Sequence, residues 1–131
     1  MTLVPPGFTQ LFPYIFADNA LAYLEFLADG LGGEVTSAHE APPGRLANAH
    51  VQFGDTTIMV SEATPANPAT SGSYYLYVAD ADAAMARGVA AGGTQLMPVQ
   101  DQWYGDRQGG LKDRWGNIWW LSQRLAEGGY G

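Results

Sequence analysis

Residues 11–33, LFPYIFADNALAYLEFLADGLGG, and residues 73–93, SYYLYVADADAAMARGVAAGG, contain the same features in the same order. Each segment begins with an apolar strand pattern, passes through an aspartate into an apolar helical pattern, and ends at a Gly-Gly pair. Such internal repetition indicates two copies of one supersecondary unit. Asp80 follows Asp18 by 62 positions. We expect each aspartate to cap a helix, because its carboxylate can accept a hydrogen bond from a free amide of the first turn.

Apolar residues recur at helical spacing after each aspartate, which predicts one buried stripe on each helix. The first stripe is predicted to comprise Leu21, Leu24 and Leu27 beside Phe26, and the second Ala81, Ala84, Met85 and Val89. The glycine pairs 32–33 and 92–93 should end the helices, since glycine tolerates the positive φ that a helix end often requires.

Two strand-like stretches follow each helix and predict a β-hairpin in each half, with turns at 54–55 and 116–117. A second loop is predicted at 98–104. The fold class is therefore α+β, with two β-α-β-β-β modules that form a cupped mixed sheet carrying the helices on its outer face. We expect one domain, 1–131, in which module one covers about 8–63, a linker covers 64–72, and module two covers about 73–125.

Alternation along the strands assigns side chains to the two sheet faces. In the first strand Phe12, Tyr14 and Phe16 are predicted to face the helix, as are Tyr74, Leu76 and Val78 in the fifth. Tyr75, Tyr77 and Trp120 should then lie on the face away from the helices. Because that face is rich in large apolar groups, it needs a ligand, a second subunit or both to cover it.

Composition excludes several classes of function. Thirteen acidic residues against six basic ones give a charge of −7, which argues against nucleic acid as a partner and favours cations. Without cysteine there is no disulfide, thiolate metal site or thiol nucleophile. The chain shows neither a long apolar run nor a signal-peptide pattern, so we expect a cytoplasmic protein with no membrane partner.

The duplication, the motif WYGDR at 103–107 and the motif DRWGNIWW at 113–120 carry a family resemblance. From about Phe8 to Arg124 the chain resembles the glyoxalase/bleomycin-resistance family of the vicinal oxygen chelate superfamily. This superfamily contains lyases, isomerases, dioxygenases and drug-binding proteins on one scaffold, so the resemblance indicates the fold more strongly than the substrate. It also implies a homodimer.

The resemblance allows a test for metal chemistry. Metal-dependent members place His, Gln or Glu on strands one, four, five and eight, positions that correspond here to Leu11, Met59, Ser73 and Trp120. Leucine, methionine and tryptophan do not provide the nitrogen or oxygen ligands of such a site. We therefore expect no metal, no cofactor and no catalytic residue, and we assign the chain to the branch that lacks the usual ligands. An atypical site using His50 and Glu62 remains an alternative.

The aromatic residues of the predicted cup and its loops favour a ligand, since ring faces stack on flat molecules and attract cations. The leading hypothesis is a small-molecule binding protein that sequesters a planar aromatic or amphipathic compound, including cationic ones, as in antibiotic resistance. The candidate ligand-binding residues are Asn48, His50, Met59, Tyr75, Tyr77, Trp103, Tyr104, Arg107 and Trp120.

Two other interpretations stay open at this point. One is a metal-dependent lyase, isomerase or dioxygenase built around His50 and Glu62, and the other is a metal-free biosynthetic enzyme on the same fold. Arg107 also has two interpretations, because it can contact a ligand or form an ion pair with Asp106 or Asp113.

Overall fold

The computed structural model describes residues 3–131, and it confirms the α+β class and the β-α-β-β-β order of both modules. One compact unit ends at Thr70 and the other runs Ser71–Gly131. Each unit has its own four-stranded mixed sheet, in which the first and last strands of the module pair in parallel. The elements of module one are β1 (Tyr14–Ala17), α1 (Ala20–Glu25, continued by a π-helical turn at Phe26–Gly30), β2 (Glu34–Glu40), β3 (Leu46–Phe53) and β4 (Thr56–Glu62).

Module two repeats this plan with a longer helix. Its strands are ordered β5-β8-β7-β6, as those of module one are ordered β1-β4-β3-β2, so β6 and β2 are edge strands. The elements of module two are β5 (Ser73–Tyr77), α2 (Ala81–Ala90), β6 (Thr94–Asp101), β7 (Asp106–Lys112) and β8 (Ile118–Arg124).

The face prediction for β1 is wrong by one residue. Ile15 and Ala17 are buried in the core of module one, whereas Tyr14 is half exposed and stacks on Phe16 with ring centroids 4.6 Å apart. Tyr14 and Phe16 therefore lie on the sheet face away from the helix. In β5 the prediction is confirmed, since Tyr75 and Tyr77 are exposed there.

The capping prediction for Asp18 is also wrong. Because aligning Asp18 with Asp80 set the comparison of the two modules, this error also shifted the predicted faces of β1 by one residue. The residue that precedes α1 is Asn19, which has a positive φ of 55° and makes no side-chain cap bond. The Oε2 and Oε1 atoms of Glu62 instead accept hydrogen bonds from the amides of Asn19 and Ala20, both at 2.9 Å. The start of α1 is thus satisfied by a carboxylate from the end of β4.

The capping prediction for Asp80 is confirmed, because its Oδ1 atom accepts a hydrogen bond from the Ala83 amide at 3.1 Å. Ala81 and Met85 are buried as expected, but Val89 is 44% exposed. Gly88 is buried in its place, since the Leu111 side chain occupies the space that a β-carbon at position 88 would need.

The DRWGN motif forms the tight turn between β7 and β8. The buried Asp113 Oδ1 atom accepts hydrogen bonds from the amides of Trp115 and Asn117, both at 2.9 Å. Its Oδ2 atom accepts a hydrogen bond from the Trp119 indole at 3.0 Å. Gly116 supplies the positive φ of the turn, at 89°. This family motif therefore stabilises the fold of module two.

Strand β6 is longer than predicted and includes Pro98, which was placed in a loop. An edge strand tolerates proline, because the missing amide points away from the sheet. The loop before β7 is therefore confined to residues 102–105. None of the helices between Leu3 and Gly131 combines the length and the apolar character that a bilayer crossing requires.

Candidate functional site

We call the sheet face opposite the helix the open face of each module. On the open face of module two, Tyr75 and Tyr77 are 47% and 55% exposed, and their rings meet edge to face at 5.3 Å. Trp120 pairs with Tyr75 on the neighbouring strand and donates its indole N–H to Ser73 Oγ at 2.8 Å. Its ring lies against Gly110, where a β-carbon would come within 2.9 Å. The sequence therefore makes room for a flat aromatic surface.

Asp106 lies beneath these rings and is fully buried. Its Oδ2 atom accepts hydrogen bonds from the hydroxyls of Tyr75 at 2.5 Å and Tyr130 at 2.7 Å. Its Oδ1 atom accepts one from Arg124 Nη1 at 3.0 Å, which also makes an ion pair. The hydroxyls of Tyr77 and Tyr130 are bonded to each other. Sequence analysis did not identify Asp106, Arg124 or Tyr130 as site residues.

The electrostatics of this cluster favour the ionised form of the Asp106 carboxylate and the neutral forms of the Tyr75 and Tyr130 phenols. Burial acts to raise the pKa of Asp106, but hydrogen bonds from Tyr130, Tyr75 and Arg124 outweigh it and hold the pKa below its ordinary value. Burial and then the bond to Asp106 raise the pKa of Tyr75. The bonds to Asp106 and Tyr77 raise the pKa of Tyr130. Asp106 is therefore a good hydrogen-bond acceptor and a weak base.

Further polar groups lie beside the cluster on β7 and β8, the strands that carry Asp106 and Arg124. Gln108 Nε2 donates to Ser122 Oγ at 2.8 Å, and the Tyr104 hydroxyl donates to Gln108 Oε1. Tyr104 is thereby held at the edge of the open face, whereas Trp103 is 93% exposed and meets the Tyr104 ring edge to face at 5.4 Å. At this exposure Trp103 is not part of the core.

Module one repeats part of this arrangement with different residues. Asn48, His50 and Met59 share its open face, since His50 pairs with Met59 and Asn48 lies two residues before His50. Ser61 Oγ is bonded to the Tyr14 hydroxyl at 2.8 Å and to Asn48 Nδ2 at 3.3 Å. The His50 ring meets Phe8 edge to face at 5.1 Å. These candidates form a second polar and aromatic group, on module one.

A register of 61 residues relates the two open faces. It pairs Ser61-Glu62 with Ser122-Gln123, and it pairs Tyr14 with Tyr75. Gln123 Oε1 accepts from the Ala81 amide at 3.0 Å, as Glu62 does at the start of α1. The repeated Ser-Glu and Ser-Gln pairs could have identified Tyr14 as an open-face residue, whereas aligning the two aspartates shifted it by one.

Arg107 lies on the other side of the sheet. Its guanidinium binds both carboxylate oxygens of Asp82 on α2, at 2.7 and 3.0 Å, and Asp101 at 3.0 Å. These hydrogen bonds raise the pKa of Arg107 and lower that of Asp82. The structure therefore separates Arg107 from Tyr75, Tyr77 and Trp120, and it forms neither of the predicted ion pairs with Asp106 or Asp113.

Comparison with known families identifies the scaffold. Residues 9–121 match the family model described as the Glyoxalase/Bleomycin resistance protein/Dioxygenase superfamily. The chain belongs to this superfamily. An uncharacterised protein of Mycobacterium bovis is 27% identical over 128 residues, covering 89% of this chain and 84% of the relative.

Solved structures show the same superfamily fold at lower identity. TioX from Micromonospora sp. ML1 is 22% identical with a TM-score of 0.70, covering 88% of this chain and 99% of its own. TnmS3 from Streptomyces sp. CB03234, described as an antibiotic binding protein, is 21% identical with a TM-score of 0.70, covering 95% and 99%. These likenesses establish the fold and leave the ligand of this chain to be inferred from its own residues.

The residues present do not fit the divalent metal of the metal-dependent superfamily members. Met59 and Trp120 offer no suitable ligand atom. Leu11 precedes β1 and is 89% exposed. In the 61-residue register the position that matches Ser73 is Phe12, one residue after Leu11. Between residues 3 and 131 no group of three or more His, Asp or Glu side chains is placed to hold a metal ion.

The atypical pair of His50 and Glu62 lies on opposite sides of its sheet. His50 pairs with Met59, and Glu62 is three residues further along β4, so alternation directs Glu62 to the helix side. Both of its oxygens bind amides at the start of α1. This pair therefore cannot hold one ion together.

A shallow groove on the helix side of module two is a competing location for a ligand. It has a volume of about 380 Å³ and runs between α2 and β6. Its lining residues are Asp82, Met85, Ala86, Val89, Gln95 and Val99. Without a ring in its lining, the groove lacks the stacking surfaces that the open face offers.

Proposed function

We propose that this chain is a small-molecule binding protein that sequesters a planar aromatic compound on its open faces, without metal chemistry. The observation that carries the proposal is the group of half-exposed tyrosines on module two, held in place by the buried Asp106. Tyrosine rings whose hydroxyls are held by a fixed carboxylate are already ordered, so ligand binding does not have to order them. The candidates Asn48, His50 and Met59 form a separate candidate surface on the open face of module one.

The state of Asp106 supports binding over turnover. A general base needs a pKa near the working pH. Asp106 instead has a pKa below its ordinary value, and its ion pair with Arg124 favours the ionised form. This disfavours a metal-free enzyme that uses Asp106 as its base, and the separation of His50 from Glu62 disfavours the metal-dependent one.

Antibiotic capture is the biological role that we propose. TnmS3 shares the fold and is described as an antibiotic binding protein, which supports the same class of role here. The charge of −7 would raise the local concentration of a cationic ligand, while the rings provide the contact surface. We further propose that the protein acts as a homodimer, because the open-face tyrosines are half exposed in the single chain. A cytoplasmic location is proposed from the sequence pattern alone.

Titration with planar aromatic probes tests this function. Proflavine, a planar cation, and anthraquinone-2-sulfonate, a planar anion, are added while tryptophan fluorescence and heat are recorded. We expect saturable binding by at least one of them. Changing Tyr75 or Tyr77 to alanine should weaken it about 2–30-fold, because one ring contact contributes roughly 0.5–2 kcal/mol.

Val89→Ala is the matched control, since it removes an exposed apolar side chain from the helix side of the same module. Its affinity should equal that of the wild type. The absence of saturable binding by either probe, or an equal loss in the Val89→Ala protein, would contradict the proposed function.

A further inference from the structure

The segment that follows β8 turns back over the open face of module two and places Tyr130 on it. The Leu125 amide bonds to the Gly105 carbonyl at 2.8 Å, and Arg124 Nη2 donates to the carbonyls of Gly128 at 3.3 Å and Gly129 at 3.0 Å. No helix or strand forms between residues 125 and 131, within the described chain. A few hydrogen bonds therefore hold this segment in place.

Tyr130 makes the contacts that a small aromatic ligand would make at this site. Its ring lies 4.3 Å from the Arg124 guanidinium carbon, and its hydroxyl donates to Asp106 and meets that of Tyr77. One edge of the ring also faces Tyr104, with centroids 6.4 Å apart. Although engaged in this way, Tyr130 is 54% exposed. The hydrogen bonds of its hydroxyl and the contact of its ring with Arg124 therefore hold Tyr130 in place more than burial does.

We propose that Tyr130 is an internal occupant of the binding site and that the ligand is a hydroxyaromatic compound that displaces it. The ligand hydroxyl then donates to Asp106 Oδ2, and its ring lies against Arg124. This inference rests on the proposed function, because it assigns the ligand class of the same open face. The site selects a phenol over an ether, since only the phenol replaces the hydrogen bond that the buried carboxylate loses.

The exchange is favourable only for a ligand with additional contacts. Tyr130 is tethered to the site, so a free phenol competes against a high effective concentration. A larger hydroxyaromatic compound can in addition stack on Tyr75 and Tyr77, whose side chains are exposed with Tyr130 in place. Tyr130 thereby excludes simple phenols from the wild-type protein and admits larger ring systems.

Tyr130→Gly tests the inference by removing the internal phenol from the full chain. The probes are p-cresol, which copies the tyrosine side chain, and 4-methylanisole, its methyl ether, and binding is followed by NMR. We expect p-cresol to bind Tyr130→Gly at least tenfold more tightly than the wild type. We expect 4-methylanisole to bind the same variant at least tenfold more weakly than p-cresol.

Two further variants make the result specific. Leu125→Ala changes an exposed side chain of the same segment and should leave p-cresol affinity at the wild-type level. Tyr130→Phe keeps the ring and loses the hydroxyl, so p-cresol should displace it more readily than it displaces Tyr130. Equal p-cresol affinity in the wild type, Tyr130→Phe and Tyr130→Gly would overturn the inference, as would equal binding of p-cresol and its ether. Capture itself is tested separately, by the planar probes.

Discussion

Replacing Asp113 with alanine should lower the free energy of unfolding by about 3–5 kcal/mol, the largest effect that we expect from one substitution. The carboxylate accepts hydrogen bonds from two amides of the β7–β8 turn and from the Trp119 indole. The Asn117 and Trp119 donors are buried and the Trp115 amide is partly buried, so they lose their partner without gaining full hydration. Urea unfolding followed by circular dichroism measures the loss.

Asp55→Ala is the matched control for this prediction. Asp55 occupies the β3–β4 turn of module one and is exposed, so its removal should change the free energy of unfolding by less than about 0.5 kcal/mol. If the Asp113 and Asp55 variants were equally stable, the DRWGN motif would have no special structural role and its residues would become candidates for the ligand site.

Replacing Asp106 with alanine should cost about 2–4 kcal/mol of stability, because it leaves Arg124 without its carboxylate and two phenols without their acceptor. This loss of stability is smaller than that expected for breaking a fully buried ion pair, since the Arg124 side chain is 24% exposed and can reach water. Binding of planar aromatic probes should weaken as well, because Tyr75 is no longer held in position.

Asp106→Asn gives the same prediction a pH signature. The pKa of Asp106 is lowered in the folded state, so its contribution to stability is complete above the ordinary carboxyl pKa, near 4. That contribution is lost as the pH falls through the lower folded-state value. The wild type should therefore lose stability below pH 4 more steeply than Asp106→Asn, which retains only the acid dependence of groups such as Asp82. Parallel acid-unfolding curves would contradict the account.

Much of the fold could be predicted because its signals are local and repeated. The alternation in β5, the glycines at helix ends and the two turns are encoded by neighbouring residues, and all are confirmed. The start of α1 was not predictable in this way. Its capping group, Glu62, lies 43 residues beyond Asn19, and no local pattern links them. That single error inverted the faces of β1.

The functional site was predicted only in part, for a similar reason. Tyr75, Tyr77 and Trp120 follow from strand alternation, and the structure places them together on one face. Asp106 was considered only as an ion-pair partner of Arg107, its neighbour in sequence. Consecutive residues of a strand point to opposite faces of the sheet, so the two side chains are separated. Tyr130 reaches the site through a segment whose position depends on Arg124. That the nine candidates bind a ligand, and that both modules act as one domain, remain predictions.

An NMR titration of the 15N-labelled protein with proflavine and anthraquinone-2-sulfonate tests the central claim most directly. The account predicts saturable shifts of the Tyr75, Tyr77 and Gly110 amides and of the Trp120 indole, with Asp82 and Val89 unchanged. Shifts confined to the groove between α2 and β6, or no saturable shift with either probe, would contradict it.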